Sequence, residues 1–470
     1  MRNRLIMMGW LLMLSVVMQA QQQAKYVFYF IGDGMGVNQV NAAETYQAAM
    51  DGRIGIEPLC FPSFPYFALV NTQSANSGIT DSAAGGTALA TGSKTHNGAL
   101  GMNADMSDRV SSIADWAREA GAAVGITTSV TIDHATPAAF YAHVKDRKMG
   151  YDIGLQMINS GNDFFAGSAL SKPKNPSAGG ADLYEQAQKK GYTLAYGYDE
   201  YAKKADKAQK MILMQSKAAN KRDHYSLPYA IDRQQGDMTL TEITTAAIDF
   251  LMKKQDTKNG FFLMVEGGKI DWACHANDMA FIPELIDMDN AVRVAMEFYR
   301  QHPDETLIVV TADHETGGLS LGRKKYELHL DVVGNQKMSI EQLGKRLREM
   351  REKAGDRYEW TMVEALLKEN FGLWTKVKIN DEQTARIKKA FDNIKEGKGK
   401  TTKTLYQQDD ELANAVKTVM AECANVAWGT PDHSNGYVPC FAIGQGAEAF
   451  HGRIDNTEIC KRMAKAAGWR

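Results

Sequence analysis

Three short runs constrain this chain more than any other feature, because each is apolar, β-prone and ends beside a carboxylate. Tyr26 to Ile31 stops at Gly32-Asp33-Gly34, Phe261 to Val265 stops at Glu266-Gly267-Gly268, and Thr306 to Val310 stops at Thr311-Ala312-Asp313-His314. A run without polar alternation reads as a strand covered on both faces, the situation of a strand in a parallel sheet. Ala122 to Thr127 is a fourth candidate of the same kind. Helical patterns alternate with these strands. Ser111 to Ala120 has a Ser cap and Gly121 as terminator, Thr239-Leu240-Thr241-Glu242 is a capping box leading into a helix with Ile243, Ala247, Phe250 and Leu251 on one face, and Pro283 to Tyr299 is a third helix. The alternation predicts an α/β fold with a mainly parallel central sheet flanked by helices on both faces. With 470 residues, 44% of them hydrophobic, the chain can bury a large core as one unit.

Two segments depart from the pattern. Residues 172–235 are polar and Lys-rich and are expected to cover the sheet edge with short elements, while 322–428 is charged and helix-rich and reads as an inserted cap. The remaining catalytic domain is expected to run over 21–470. At the N-terminus, Arg2 and Arg4 precede the apolar run Leu5 to Val17, then Met18-Gln19-Ala20 and three Gln. This is the layout of a secretory signal peptide over 1–20, cleaved after Ala20; the run is short of the roughly 20 apolar residues that span a bilayer. Export to the periplasm or outside the cell follows, with no stable membrane anchor after cleavage. The five cysteines, Cys60, Cys274, Cys423, Cys440 and Cys460, have no CxxC spacing and leave at least one unpaired; small buried residues with one or two bridges are expected. Lys plus Arg is 54 against 56 for Asp plus Glu, a balance that gives no footprint for nucleic acid or an anionic membrane.

Open α/β sheets bind ligands beyond the carboxyl ends of their strands, where Asp33, Glu266 and Asp313 all fall. One such carboxylate would be a turn residue; three suggest a metal site. Asp271 and His275 are four apart, so one helical turn points both at one ion, and Asp313-His314 is a second carboxylate–imidazole pair. His433 lies in the turn-like Pro431-Asp432-His433-Ser434-Asn435-Gly436. Mixed oxygen and nitrogen sets suit Zn²⁺, and an all-oxygen set suits Mg²⁺. Ser82 opens the Ala-rich helix of Thr80-Asp81-Ser82-Ala83-Ala84-Gly85-Gly86, which Gly92 ends. It would be an ordinary cap, or else a nucleophile where free N–H groups and the helix dipole receive a phosphate. A serine hydroxyl needs a base or a metal to react, and no histidine relay is evident in the spacing. In His134-Ala135-Thr136-Pro137, Pro137 is expected at the first helical position with Thr136 as cap, and Arg147 near that helix's C-terminal end, where it could bind two phosphoryl oxygens.

Together IGDGMG, TDSAAGGTALATG, HATPAAFYAHVKDR, VEGGKIDWACH, VTADHETGG and DHSNGY resemble, in order, the sequence blocks of alkaline phosphatases, from Ile31 to Tyr437. The resemblance implies an alkaline phosphatase-like fold with a crown over about 322–428. It also implies two zinc ions, one on Asp271, His275 and His433 and one on Asp33, Asp313 and His314, with a Mg²⁺ held by Asp33, Thr136 and Glu266. Ser82 would attack phosphorus in line to give a phosphoserine, and Arg147 would clamp the non-bridging oxygens of a small-molecule phosphate monoester. Family members are often homodimers, and the insertion is a candidate to alter that interface. The chain departs from the enterobacterial pattern where His134 replaces Asp, Trp272 replaces Lys and Cys274 replaces an acidic residue. His134 near the third site would admit Zn²⁺ or Co²⁺ more readily than an all-oxygen shell.

The rival within the superfamily is a phosphodiesterase or nucleotide pyrophosphatase, which commonly uses Thr and lacks an Arg aligned with Arg147. A sulfatase is excluded because Ser82 does not open a C/S-x-P-x-R sequence. A non-catalytic phosphate- or metal-binding protein would have lost a ligand or the nucleophile, and every position here is filled. Trp272 removes a positive charge near the phosphate, so Trp272→Lys is expected to lower the inhibition constant of inorganic phosphate. Equal constants in the two proteins would remove the charge argument.

Overall fold

In the computed structural model, which describes residues 23–175, 181–254, 259–403, 405–406 and 408–470, the three constraining runs are neighbours. The signal peptide expected over 1–20 lies outside the described residues. Tyr26–Gly32 (β1) is buried along its whole length. It pairs in parallel with Phe261–Gly267 on one side and Thr306–Thr311 on the other, so that Ile31 stands opposite both Glu266 and Thr311. In chain order the strands that follow β1 are Tyr66–Asn71 (β2), Ala123–Thr128 (β3), Phe164–Gly167 (β4), Tyr192–Tyr196 (β5), Lys210–Met214 (β6), Phe261–Gly267 (β7) and Thr306–Thr311 (β8). Glu315–Thr316 (β9) and His433–Ser434 (β10) form a small antiparallel pair, and Val438–Gly444 (β11) and Gly452–Asp455 (β12) return to the main sheet. Among the described residues, the sheet has ten strands in the order β12-β2-β11-β8-β1-β7-β3-β4-β6-β5, all pairings parallel except those of β11 with β2 and β8. The expected mainly parallel α/β architecture is therefore found.

Helices on the sheet are Ser82–Thr91 (α1), Ile113–Glu119 (α2), the single turn Ala135–Ala138 (α3), Leu240–Lys253 (α4), Lys269–His275 (α5) and Phe281–Gln301 (α6). α2 begins with a reciprocal Ser112/Asp115 capping box and α4 with Thr239/Glu242, which is why both start where the capping residues fall. α4 packs on α6, and α1 and α2 pack together with the C-terminal helix Thr457–Ala467.

Several expectations are corrected. Residues 172–235 do not cover the sheet edge; they build it, because Tyr192–Tyr196 and Lys210–Met214 pair in parallel and β5 is the outermost strand. All five cysteines are free, and Cys274, Cys440 and Cys460 are buried. His433 is not in a turn but in β10, where Ser434 pairs with Glu315 and His433 with Thr316.

The stretch after β9 carries Ile340–Ala354 (α7), Trp360–Phe371 (α8), Asp381–Lys395 (α9) and Glu411–Cys423 (α10). Leu343, Leu347, Val363, Leu367, Phe371, Ile387, Phe391, Val416 and Met420 pack there into a hydrophobic cluster distinct from the one around the sheet. Leu367 is fully buried in it. Leu367→Ala should cost about 2–5 kcal/mol and should raise amide exchange in α7 to α10 while β1 stays protected. Equal loosening of the sheet would show that the two clusters unfold together.

Candidate active site

The parallel register delivers the carboxylates to one edge. Asp33 follows β1 directly, Glu266 is the penultimate residue of β7, and Asp313 comes two residues after β8. α5 begins two residues after β7 and turns Asp271 and His275 to the same place. Three groups of potential ligands result, each with its donor atoms within 4.8 Å of one another: Asp271, His275 and His433; Asp33, Asp313 and His314; and Asp33, His134 and Glu266. His134, expected beside the third site, is itself a member of the third group. Thr136 places its hydroxyl 3.3 Å from both Asp33 Oδ2 and Asp313 Oδ2, the two carboxylates of the second group.

Hydrogen accounting shows that these groups suit a cation. His275 Nδ1 lies 2.6 Å from Pro431 O and His433 Nδ1 lies 2.8 Å from Thr80 O. Carbonyls only accept, so both rings carry a proton on Nδ1 and aim Nε2 inward, where the two Nε2 atoms are 3.1 Å apart. That gap must take a proton or a cation. His314 follows the same rule: Thr316 Oγ1 donates to Asp271 Oδ1 at 2.6 Å and so accepts from His314 Nδ1 at 3.1 Å. His314 Nε2 then faces Asp33 Oδ1 at 3.3 Å and Asp313 Oδ2 at 3.4 Å. Asp33 Oδ1, Glu266 Oε1, Asp271 Oδ2 and His134 Nδ1 are buried without a hydrogen-bond partner. Such orphaned atoms are costly unless a ligand satisfies them. Divalent cations fit this donor set.

The charges follow from the same packing. Burial, then the neighbouring carboxylates, push Asp33 and Asp313 well above the ordinary carboxylate range. Burial also opposes ionisation of Asp271, but His275, His433 and His314 outweigh it and hold that carboxyl low. Burial lowers His314 and His433, leaving neutral imidazoles. In His275 burial is overcome by the Asp271 charge, so its value is raised.

Ser82 is the first residue of α1, and Asp81 is its cap, accepting from Ala84 N at 2.9 Å. Gly92 ends the helix in the left-handed conformation, as expected. Ser82 Oγ lies 3.1 Å from His314 Nε2, a contact that spacing alone did not reveal. Arg147 is not on a helix with Thr136. α3 starts at Ala135 with His134 as cap, and it ends within a turn because Val144 pairs with Leu100, drawing the chain into extended form. Arg147 N then donates to Gly98 O at 2.7 Å. Its Nη1 meets Asp81 Oδ2 at 3.2 Å and its Nη2 meets His134 Nε2 at 3.2 Å. Burial works against its charge, but Tyr406, Asp81 and Asp33 keep the guanidinium cationic.

Sequence reasoning missed four residues that touch this site. Asp81 both caps α1 and holds Arg147, a second duty hidden by the commonness of Asp caps. Thr316 stands two residues after His314, and that spacing was a readable signal. Glu315 ties β9 to β10 by accepting from Ser434 Oγ and Gly318 N. Tyr406 comes from the polar stretch between α9 and α10, with no local pattern to announce it. Its ring stacks on Trp272 at 4.4 Å and 11°, and its hydroxyl is 3.4 Å from His134 Nε2.

Comparison with known proteins agrees with this geometry. The family described as alkaline phosphatase matches residues 24–167 and 168–469. Alkaline phosphatase 3 of Bacillus subtilis is 31% identical over 459 residues, covering 95% of this chain and 89% of its own. The crystal structure of a cold-active alkaline phosphatase from a psychrophilic Shewanella superposes with a TM-score of 0.78 at 28% identity, covering 94% of this chain and 99% of that one. A His-to-Glu variant of the alkaline phosphatase from the Antarctic bacterium TAB5, described with Mg bound in its M3 site, matches with a TM-score of 0.67 at 25% identity and covers 96% of this chain and 99% of that one.

The raised Asp33, Asp313 and His275 set a pH dependence. The cation-free fold holds protons there that the unfolded chain gives up, so this stability is full at low pH and is lost as pH rises through the raised values. Asp271, His314 and His433 run the other way: the depressed Asp271 confines its loss to strongly acidic solution, while the lowered imidazoles cost stability below their ordinary value of 6.5 and cease to cost it above. The Tm of chelated protein should therefore fall as pH rises above roughly 6.5, where only the raised groups still titrate, and divalent cation should restore it most at the upper end with release of protons. Calorimetry in two buffers of different ionisation enthalpy reads the protons. A flat or rising Tm would contradict the assignment.

Proposed function

This chain belongs to the alkaline phosphatase family, and on that premise we propose that it hydrolyses phosphate monoesters through a phosphoserine formed on Ser82. The observation that carries the reading is the meeting of Ser82 Oγ with His314 Nε2 at 3.1 Å, beside the orphaned carboxylate oxygen of Asp33. Ser82 Oγ attacks phosphorus as the bond to the leaving oxygen breaks, and the hydroxyl proton passes by way of solvent to that departing oxygen. The α1 amides and the two Arg147 nitrogens orient the non-bridging oxygens, with Asp81 fixing the plane of the guanidinium. Water then attacks phosphorus as the bond to Ser82 Oγ breaks, and one proton of that water returns the serine hydroxyl as inorganic phosphate leaves. Cations bound in the three groups supply Lewis acidity that acidifies the hydroxyl and neutralises charge on the entering and leaving oxygens.

For those cations we assign zinc to the Asp271/His275/His433 group and to the Asp33/Asp313/His314 group, on the strength of their imidazoles. The third group, Asp33, Glu266 and His134 with Thr136 beside it, suits Mg²⁺, the ion described for the TAB5 variant, and its imidazole also suits Zn²⁺ or Co²⁺. The leader-like residues 1–20 support export to the periplasm or medium, and no helix of the described residues is long and apolar enough to cross a membrane. Residues 322–428 are proposed as the crown, and a homodimer as the assembly.

Ser82→Ala should lower kcat for p-nitrophenyl phosphate by a factor on the order of 10³ or more, and should abolish the acid-stable phosphorus-32 label that the wild type retains. EDTA should remove activity, and Zn²⁺ plus Mg²⁺ should return it. Faster hydrolysis of bis(p-nitrophenyl) phosphate than of the monoester would instead identify a diesterase.

A further inference from the structure

We propose that the alcohol half of the ester is held in a cavity beside Arg147, and that this cavity selects phosphate monoesters whose alcohol carries a flat, apolar ring. The inference rests on the phosphomonoesterase reading and deepens it by naming a substrate class. The cavity has a volume of 470 Å³, ordinary for a small-molecule site. Arg147 and His134 line it, so it opens directly from the phosphate clamp. The guanidinium also gives it a direction. Nη1 faces Asp81, the neighbour of Ser82, whereas Nη2 faces His134 in the cavity wall. In-line displacement sends the leaving oxygen away from Ser82, and therefore toward the His134 end of the guanidinium.

One wall of the cavity is aromatic. Trp272 and Tyr406 stack at 4.4 Å and 11°, and the Tyr406 ring lies 5.4 Å from that of His275, so this wall reaches back to the Asp271/His275/His433 group. A single exposed apolar side chain carries no message. Here two line the same cavity: Leu405 is 58% exposed and Tyr225 is 51% exposed. A flat ring lying between them and the aromatic wall would take apolar surface of both partners out of water. The polar lining argues against a second phosphate on the alcohol. Arg222 is already shared with Asp237 Oδ2 at 2.6 Å and Gln234 Oε1 at 3.0 Å, while Asp133, Asp223 and Glu341 bring three carboxylates to the same space. A second anion would meet like charge there, and a neutral ring does not. The two exposed residues come from the two stretches that depart from the sheet pattern, Tyr225 from 172–235 and Leu405 from 322–428. The sheet edge brings the reacting groups together, and these stretches enclose what is attached to them.

The test compares wild type, Leu405→Ala and Tyr225→Ala, each loaded with zinc and magnesium, on three monoesters. 1-Naphthyl phosphate has its ring on the ester oxygen, adenosine 5′-monophosphate has its ring one sugar away, and glycerol 2-phosphate has none. Each variant should lower kcat/KM for a ring ester about three- to tenfold, chiefly through KM, and leave glycerol 2-phosphate and the inhibition constant of inorganic phosphate within about twofold of wild type. Loss for the naphthyl ester, the nucleotide or both supports the cavity and tells how far from the ester oxygen the ring sits. If the ring esters and glycerol 2-phosphate fall together, or no ester falls in either variant, the cavity does not select a ring and the proposal is overturned. A wild type that hydrolyses none of the three would overturn the phosphomonoesterase reading itself, a result distinct from the others.

Discussion

The crowding of buried carboxylates at the ends of β1, β7 and β8 is the constraint on which the rest of this structure depends. Parallel pairing in register leaves no choice about where Asp33, Glu266 and Asp313 arrive, and helix α5 adds Asp271 to them. All four are fully buried. Like charges at this spacing in a low-dielectric interior cannot all be ionised without compensation. The chain supplies part of the compensation itself through His275, His433 and His314, and leaves the remainder as orphaned oxygens. A site of this kind is an electrostatic deficit that bound protons or metal cations offset. The same deficit explains why so many surrounding hydrogen bonds orient ligands and so few neutralise them.

That orientation is carried by backbone carbonyls and one hydroxyl. Pro431 O and Thr80 O each fix an imidazole by its outer nitrogen, and Thr316 fixes His314 while it donates to Asp271. The β9–β10 pair makes this possible, because it holds His433 against the segment that bears His314; the two rings stack at 3.6 Å. Two residues of strand on each side are a small element, yet they position donors from chain segments more than a hundred residues apart.

What the sequence made legible was whatever local pattern can encode. The buried strands, the capping boxes at Ser112 and Thr239, the α1 start and the Asp271–His275 turn all follow from composition and spacing within a few residues. What it hid depends on distant partners. Arg147 left its expected helix because Val144 pairs with Leu100, forty-odd residues earlier in the chain. His433 became a strand residue only because β9 lies beside it. The edge strand β5 and its neighbour β6 were masked by their Lys-rich surroundings, since an edge strand need not be apolar on both faces. Tyr406 was invisible for a simpler reason: a single aromatic in a polar stretch carries no period, and its role exists only once Trp272 is beneath it.

On the proposed function, the aromatic residues around Arg147 bear on how an anion would be held. In the enterobacterial pattern a Lys stands where this chain has Trp272, and an Asp where it has His134. The helix that carries Trp272 still has a lysine three residues earlier, but Lys269 Nζ is committed elsewhere. It donates to Ser226 Oγ at 2.8 Å and lies 3.4 Å over the Tyr229 ring, reaching Trp272 only at 5.3 Å. Its charge is therefore retained for packing and is not aimed at phosphate. Under the proposed function, anion binding would fall to Arg147, the α1 amides and the cations held by the carboxylate groups. Because Arg147 is itself shared with His134 and Asp81, its availability depends on the state of those neighbours. On the proposed reading, stacked rings in place of an ammonium leave the clamp to Arg147, whose hydrogens already reach Asp81 and His134.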